Sequence, residues 1–440
     1  MTPRVQILNV APSPNGPAAR HNRLWYHGLT LPYLAALFSR HAEVRVADEL
    51  LEALPAPDRI EADLVALSVM GAALPRALEY ARSLRAAGLK VVMGGPTATA
   101  HAALASPSVD SLVAGDGEGL VDALMTDLAA GTLKPLYAHG ELPSLDDTPV
   151  PRYDLVDRRR VGLYFPVEAT RGCTVGCRFC LTSHLRRRLQ RRKPIANVVR
   201  DVRALAAMGI RRVTFTDDNP AADRRYFREL ASAMGELGVD WITNVTADVA
   251  EDDSLLDLLA ASGCETLSIG FETVEQASLD AVGKGSHCKS DRYVRAVERV
   301  HERGMQVLAM MVVGFDHDTP ETFERIRDFL SRAKVDIAVF HVLTPVHGTP
   351  LWEQLSAEDR LLTRDLADYT AERAVFRPAH MTASELDAHF WDLYRQVYSL
   401  RGIARRLLTR SPGAHVGRRV ATLAANLYMR HEVLRGRTVV

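Results

Sequence analysis

Two long stretches of the chain share one rhythm, in which short apolar runs end in glycine or polar residues and longer amphipathic runs follow. In the first, Val5–Val10, Glu43–Val46, Leu64–Met70, Val91–Met93 and Ser111–Ala114 read as strands. Leu64–Met70 is almost continuously apolar, the pattern of a parallel strand buried on both faces. Leu31–Phe38 and Pro75–Ala87 carry helical spacing, and Gly88 stops the second. Strands that run into Gly94-Gly95-Pro96-Thr97 or Gly115-Asp116-Gly117-Glu118-Gly119 before a helix predict a doubly wound α/β domain over 1–130. Ligands of such a sheet are expected outside the carboxyl ends of its strands.

Between 131 and 160, Gly131, Pro135, Gly140, Pro143, Pro149 and Pro151 interrupt any period, so this segment reads as a linker, ending in a solvated Arg158-Arg159-Arg160. The rhythm resumes over 161–350. Strands are predicted at Leu163–Thr170, Arg212–Thr216, Trp241–Thr246, Glu265–Gly270, Val307–Val313 and Ile337–Leu343. Helices at Ala196–Met208, Asp223–Leu237, Ser254–Ala261, Asp291–Arg303 and Glu321–Arg332 separate them, giving a second parallel α/β domain. From 351 to 440 the composition turns helical. Ser384–Leu400, with Phe390, Trp391, Tyr394 and Tyr398, is expected to cap the open side of that domain, and a basic tail follows from Arg401 to Arg437.

Bulk composition narrows the class of protein. With 440 residues, 47% hydrophobic and 25% charged, the chain is long enough for two domains and an appendage. Its net charge of zero gives no global argument for a nucleic-acid partner. The run Arg186–Lys193 lacks interleaved aromatics, so it reads as hydrated or as balancing nearby carboxylates and anionic cofactors. The start has no charged-then-apolar signal pattern, and no apolar run is long enough to span a bilayer. Three of the five cysteines fall within eight residues, which argues for a reducing cytoplasm and against a disulfide framework.

Those three, Cys173, Cys177 and Cys180, stand as Cys-x3-Cys-x2-Cys in a loop just after a predicted strand. Thiolates bunched between small residues suit a metal or a cluster better than packing. An iron–sulfur cube usually takes four cysteines, so three leave one iron open to a reactant. The alternative is a structural zinc knuckle with His184 as fourth ligand, although no second knuckle exists to pair with it.

With Phe179 just before the last cysteine, the loop resembles the signature of the radical S-adenosylmethionine (SAM) enzymes, and the whole chain resembles members with a cobalamin-binding domain in front. The resemblance implies a Rossmann-like domain, then an open (β/α)6 barrel and a helical cap. It implies a [4Fe-4S] cluster on Cys173, Cys177 and Cys180, whose open iron is chelated by SAM, and Phe179 near the adenine. Asp217 or Asp218 would take the place of the family's usual Gly-Gly-Glu at the second strand, with a helix N-cap as the ordinary reading of the pair. Glu272 would accept the ribose hydroxyls, and Gly314 would let the backbone approach a flat ligand. His317 and its flanking aspartates read as a solvated loop, while His341 and His347 are weaker candidates for meeting substrate. Ser68, Gly94, Gly95, Thr97, Gly115 and Glu118 would lie nearest cobalamin, with His27 a further candidate to face that site. The Asp-x-His-x-x-Gly pattern that ligates cobalt from below in many such domains is absent.

Cys264 reads as a core residue and Cys288 as a loop thiol, and two scattered cysteines cannot hold a second cluster. The reading therefore points to a radical SAM enzyme, foremost a cobalamin-dependent methyltransferase acting on an unactivated carbon of a small molecule or lipid. A flavodoxin or ferredoxin would supply its electron. The alternatives are a radical rearrangement, ring closure or dehydrogenation without methyl transfer, and a zinc-containing ligand-binding protein.

Overall fold

A computed structural model describes residues 2–13, 28–157, 162–407 and 416–438. The chain forms two compact units, one of Met1–Pro166, Ala196–Met208 and Asp365–Thr370, the other of Val167–Ile195, Gly209–Arg364 and Ala371–Val440.

The first unit holds six strands: β1 (Arg4–Asn9), β2 (Glu43–Asp48), β3 (Leu64–Ser68), β4 (Val91–Gly94), β5 (Ser111–Ala114) and β6 (Leu136–Ala138). They pair in parallel in the order β2-β1-β3-β4-β5-β6. The direction of winding reverses between β1 and β3, where a doubly wound sheet opens its ligand crevice. Successive side chains of a strand face opposite ways. Ile7, Leu64 and Val92 accordingly pack under the helices Thr30–Phe38 and Leu120–Ala130, while Leu8, Val65 and Met93 pack under Leu74–Ala86. Two covered faces explain why β3 and β4 show no polar alternation. The stretch read as linker contributes β6, held to three residues between Pro135 and Gly140 at the sheet edge, where such breakers are tolerated. His27 and Arg158-Arg159-Arg160 lie outside the described residues.

In the second unit, β7 (Phe165–Val167), β10 (Arg212–Phe215), β11 (Asp240–Val245), β12 (Cys264–Glu272), β13 (Gln306–Val313) and β14 (Ile337–Val342) lie side by side in chain order. A small antiparallel pair, β8 (Thr170–Arg171) and β9 (Arg191–Arg192), interrupts the first crossover. The sheet does not close, because β7 and β14 are its two edges. The aromatic helix, Ala383–Val397, covers the β14 edge. Its Tyr394 hydroxyl accepts from Phe340 N–H at 2.9 Å and donates to Phe340 O at 3.1 Å. Tyr398, just beyond the helix, does the same for Ala338 at 3.1 and 2.6 Å. An exposed strand edge is a row of unpaired backbone groups, and two phenols satisfy this one. Phe390, Tyr394 and Tyr398 are buried, so these rings serve as core and edge cover.

Candidate active site

The cysteine loop runs between β8 and β9, at the carboxyl end of β7. Its ends are pinned by the β8–β9 pairing and by Lys193 N–H donating to Ala169 O at 2.8 Å. Gly172 has φ +95°, and a Cβ there would lie 2.2 Å from Leu189 O, so only glycine fits. Arg178 N–H donates to Val282 O at 3.0 Å, and Leu351 N–H donates to Arg178 O at 3.2 Å, fixing the middle of the loop to the end of the helix after β12 and the start of the helix after β14. The basic run folds back around it: Arg192 pairs with Asp223, and Gln190 donates to Asn219 O at 2.7 Å.

Cys173 and Cys177 are buried and Cys180 is half-buried, all as free thiols. Burial pushes the Cys173 thiol up, a backbone hydrogen bond from Val175 opposing it, and pushes Cys177 up to about 12 against the nearby Lys284. Thiols so desolvated give up their protons only to a compensating positive charge, which iron provides. Among the described residues no three His, Cys, Asp or Glu side chains converge as ligands of a single ion. A cube of four irons is wider and holds its thiolates farther apart. His184 is turned to the backbone, its Nε2 3.2 Å from Cys177 O, and is thus not placed as the fourth ligand of a zinc knuckle.

Around this loop the structure gathers every residue singled out for SAM. Asp217 is 1% exposed and accepts from Ala169 N–H (3.1 Å), Thr170 N–H and Thr170 Oγ1 (2.7 Å), bracing the segment just before the loop. Burial pushes its carboxyl up to about 7 against those donors. Asp218 accepts from Gly172 N–H at 3.2 Å and is accessible to solvent, yet enough protein surrounds it for desolvation to raise its carboxyl. Of the two aspartates, Asp218 faces the accessible side and Asp217 is committed to the fold.

Glu272, at the end of β12, sits at φ +62° and forms a buried ion pair with Lys284. A non-glycine residue in this conformation stores strain, a mark of functional positions. Gly270 makes room for the pair, since a Cβ there would lie 2.7 Å from Lys284 Nζ and 2.8 Å from Glu272 Oε1. Although desolvation pulls Lys284 down, the charges of Glu272, Cys288 and Cys177 raise it on balance. Its ammonium thus lies in the field of both the ribose candidate and a cluster cysteine.

At the end of β13, Gly314 has φ +102°, and a Cβ would meet Leu386 Cδ2 at 2.7 Å. Backbone conformation and packing therefore require this glycine on its own account. Phe315 beside it packs edge-on against Phe179, with ring centroids 5.8 Å apart. Asp318, expected in a solvated loop, is instead 1% exposed. It accepts from Gly314 N–H (2.8 Å), Phe315 N–H (3.1 Å) and Thr273 Oγ1 (3.4 Å), tying the ends of β12 and β13 together. His317 is exposed, as expected, and Asp316 pairs with Arg360 at 2.6 Å. His341 is half-buried, with desolvation lowering its pKa, and His347 packs against Trp352 at 4.5 Å. Cys264 is core, and Cys288 is fully buried with Sγ 3.4 Å from Gly270 O, which removes it as a reactive thiol.

In the first unit the loops after β3, β4 and β5 are also laced together. Thr97 Oγ1 accepts from Gly71 N–H at 2.6 Å, while Thr99 Oγ1 donates to Gly95 O at 2.8 Å and accepts from Gly115 N–H at 3.3 Å. Ser68, Gly94, Gly95, Thr97 and Gly115 thus lie together at the carboxyl end of the sheet. Glu118 follows, accepting from Tyr33 Oη. At Gly95, φ +110° and a would-be Cβ 2.3 Å from Val69 O exclude any side chain. Met70 is 72% exposed beside Gly71, which has open space above it. A glycine-turned end with an exposed apolar side chain fits the face of a large flat macrocycle.

A family model for the radical SAM superfamily matches residues 167–330. That segment is a radical SAM domain. A second family model, the B12 binding domain, matches residues 23–125 of this radical SAM enzyme. The enzyme is similar to a bacteriochlorophyllide d C-12(1)-methyltransferase of Chlorobaculum tepidum, 28% identical over 86% of this chain and 84% of the relative. It is also similar to a hopanoid C-2 methylase of Rhodopseudomonas palustris, 26% identical over 76% of this chain and 64% of the relative. Its fold matches that of TsrM, a radical S-adenosylmethionine methyltransferase from Kitasatospora setae with cobalamin and a [4Fe-4S] cluster bound. That match has a TM-score of 0.70 and 17% identity, covering 98% of this chain and 100% of the other. The cofactors of this radical SAM enzyme are a [4Fe-4S] cluster, SAM and cobalamin. Lys284, Asp318 and Phe315 were not visible as site residues in the sequence. Only Gly283-Lys284-Gly285, a cation between two glycines, hinted at the first.

Proposed function

We propose that this protein is a cobalamin-dependent radical SAM methyltransferase that places a methyl group on an unactivated carbon of an apolar small molecule or lipid. The observation that carries the reading is the pinned loop of Cys173, Cys177 and Cys180 in a chain that also has a B12 binding domain. Tetrapyrrole and hopanoid carbons are the targets named for two relatives, which supports a large apolar substrate here. When bound, the cluster supplies the electron that cleaves SAM, and cobalamin supplies the methyl group.

In this reading Cys173, Cys177 and Cys180 hold the cluster at three corners. Asp218 receives the SAM ammonium from the accessible side, and Asp217 holds the segment before the loop in place. Glu272 binds the ribose hydroxyls, Phe179 and Phe315 form an aromatic wall for the adenine, and Gly314 with Asp318 shapes the turn behind it. Ser68, Gly94, Gly95, Thr97, Gly115 and Glu118 form the cobalamin end of the 1–130 domain, the 161–350 barrel carries the radical chemistry, and 351–440 caps it. No described helix is long and apolar enough to cross a membrane. We place the enzyme in the cytoplasm, with a flavodoxin or ferredoxin as reductant.

The test is anaerobic reconstitution with iron, sulfide and cobalamin, then incubation with SAM, a strong reductant and candidate apolar acceptors. Formation of both 5′-deoxyadenosine and S-adenosylhomocysteine, with a product one methylene heavier, is expected. Loss of 5′-deoxyadenosine and of bound iron in Cys173→Ala is expected alongside. Turnover unchanged in that variant would refute the assignment.

A further inference from the structure

We propose that a cavity at the strand-start end of the second unit is a binding site for a phosphate-bearing anion, separate from the cysteine loop. The cavity has a volume of about 380 Å³ and is lined by Arg327, Arg395, Arg401, Arg405 and Arg406, with Ser399 among the remaining wall residues. No aspartate or glutamate belongs to the wall.

The site is built from three helices. Pro320–Arg332 ends beside it, Ala383–Val397 supplies Arg395, and Leu400–Leu407 supplies Arg401, Arg405 and Arg406. Arg406 anchors the floor. It is 1% exposed and donates to Val335 O at 3.0 Å, Asp336 O at 3.3 Å, Val397 O at 3.2 Å and Asn426 Oδ1 at 2.8 Å. Every one of these acceptors is neutral, and Arg406 Nε has no partner. A buried cation with an unused donor is costly unless something anionic completes it.

Above the floor, Arg395 and Arg401 are exposed at the wall and make no hydrogen bond or ion pair among the described residues. Arg327 donates to Gln396 Oε1, with the Asp328 carboxylate 3.8 Å away. Five arginines line one space with no carboxylate in its wall, and a multivalent anion balances such a concentration of positive charge. Guanidinium forks match phosphate oxygens two at a time, and a serine hydroxyl adds a neutral donor. The cavity is not an extension of the active site. Arg406 bonds the carbonyls of Val335 and Asp336, just before β14 begins at Ile337, whereas the cysteine loop and Glu272 lie where strands end.

The phosphate group could belong to a soluble diphosphate-bearing compound or to an anionic phospholipid headgroup, and the experiment separates the two. Full-length protein is titrated calorimetrically with pyrophosphate, and separately co-sedimented with phosphatidylglycerol and phosphatidylcholine vesicles. The same measurements are made on the Arg395→Gln/Arg401→Gln double variant, chosen because neither side chain supports the fold. Arg225→Gln, an exposed arginine on another helix, is the control. Binding of pyrophosphate, of phosphatidylglycerol vesicles, or of both is expected, weakened at least about tenfold in the double variant and unchanged in the control. Pyrophosphate alone assigns a soluble ligand; vesicles alone assign a headgroup. Absence of both kinds of binding overturns the proposal, as does binding that the double variant leaves intact.

Discussion

Replacing Lys284 by methionine removes a buried cation while keeping most of its stem. Glu272, 9% exposed, is then left as a carboxylate without its bonded partner. Gly270, which faces the pair, has no side chain to take the place of the lost ammonium. Breaking a buried pair from one side costs about 3–5 kcal/mol, whereas replacing both partners by neutral groups is often close to neutral. Lys284→Met is therefore expected to lower the unfolding temperature of the second unit by about 6–12 °C. Adding Glu272→Gln in the same chain is expected to restore most of that loss, with a coupling of at least about 2 kcal/mol between the two sites. Stability and ligand binding should then part company. The double variant, although stable, is expected to bind SAM as poorly as Glu272→Gln alone, because the proposed ribose acceptor is gone in both. Scanning calorimetry of the four proteins, with equilibrium dialysis of SAM under anaerobic conditions, measures both quantities. If Lys284→Met unfolds within about 1 kcal/mol of the parent, or the double variant is no more stable than the single, the pair is not the desolvated unit described here.

Three further outcomes are expected. Burial holds the Asp318 carboxyl up to about 7, so between about pH 4 and 7 the folded protein keeps a proton that the unfolded chain has released, and this group makes stability fall as pH rises. Asp318→Asn can keep the bonds to Gly314 and Phe315 and turn its amide to Thr273. It should flatten the pH profile of unfolding by up to about 1.4 kcal/mol per pH unit in that window, and an unchanged slope would refute the burial argument. Gly95→Ala, with its Cβ driven to 2.3 Å from Val69 O, should abolish cobalamin retention as read by corrin absorbance, while bound iron stays at the parent level. Tyr394→Phe leaves Phe340 N–H and C=O without the phenol and should cost about 2–4 kcal/mol in denaturant unfolding, more than any lost packing of one oxygen accounts for.

The parts legible in the sequence were those whose cause is local. Cys173, Cys177 and Cys180 are spaced for shared ligation within one loop, and each strand of the second sheet announces itself by its own apolar run. Glu272 and Gly314 were found because they end such runs. Lys284 was not, because it meets Glu272 across a twelve-residue excursion through a helix and a glycine turn that no periodicity records. Asp318 looked like loop because its neighbours His317 and Asp316 are polar, and only the folded backbone of Gly314 and Phe315 turns it inward. The same holds for Asp217, whose partners Ala169 and Thr170 lie nearly fifty positions away. β6 was hidden by proline and glycine, which mark breaks without revealing that a three-residue edge strand fits between them.

The loop that carries the three thiols is tied down by carboxylates, a glycine contact and a two-residue ladder, all made of protein alone. Because none of these ties passes through a thiol, a single cysteine replacement is expected to cost bound iron before it costs the shape of the loop.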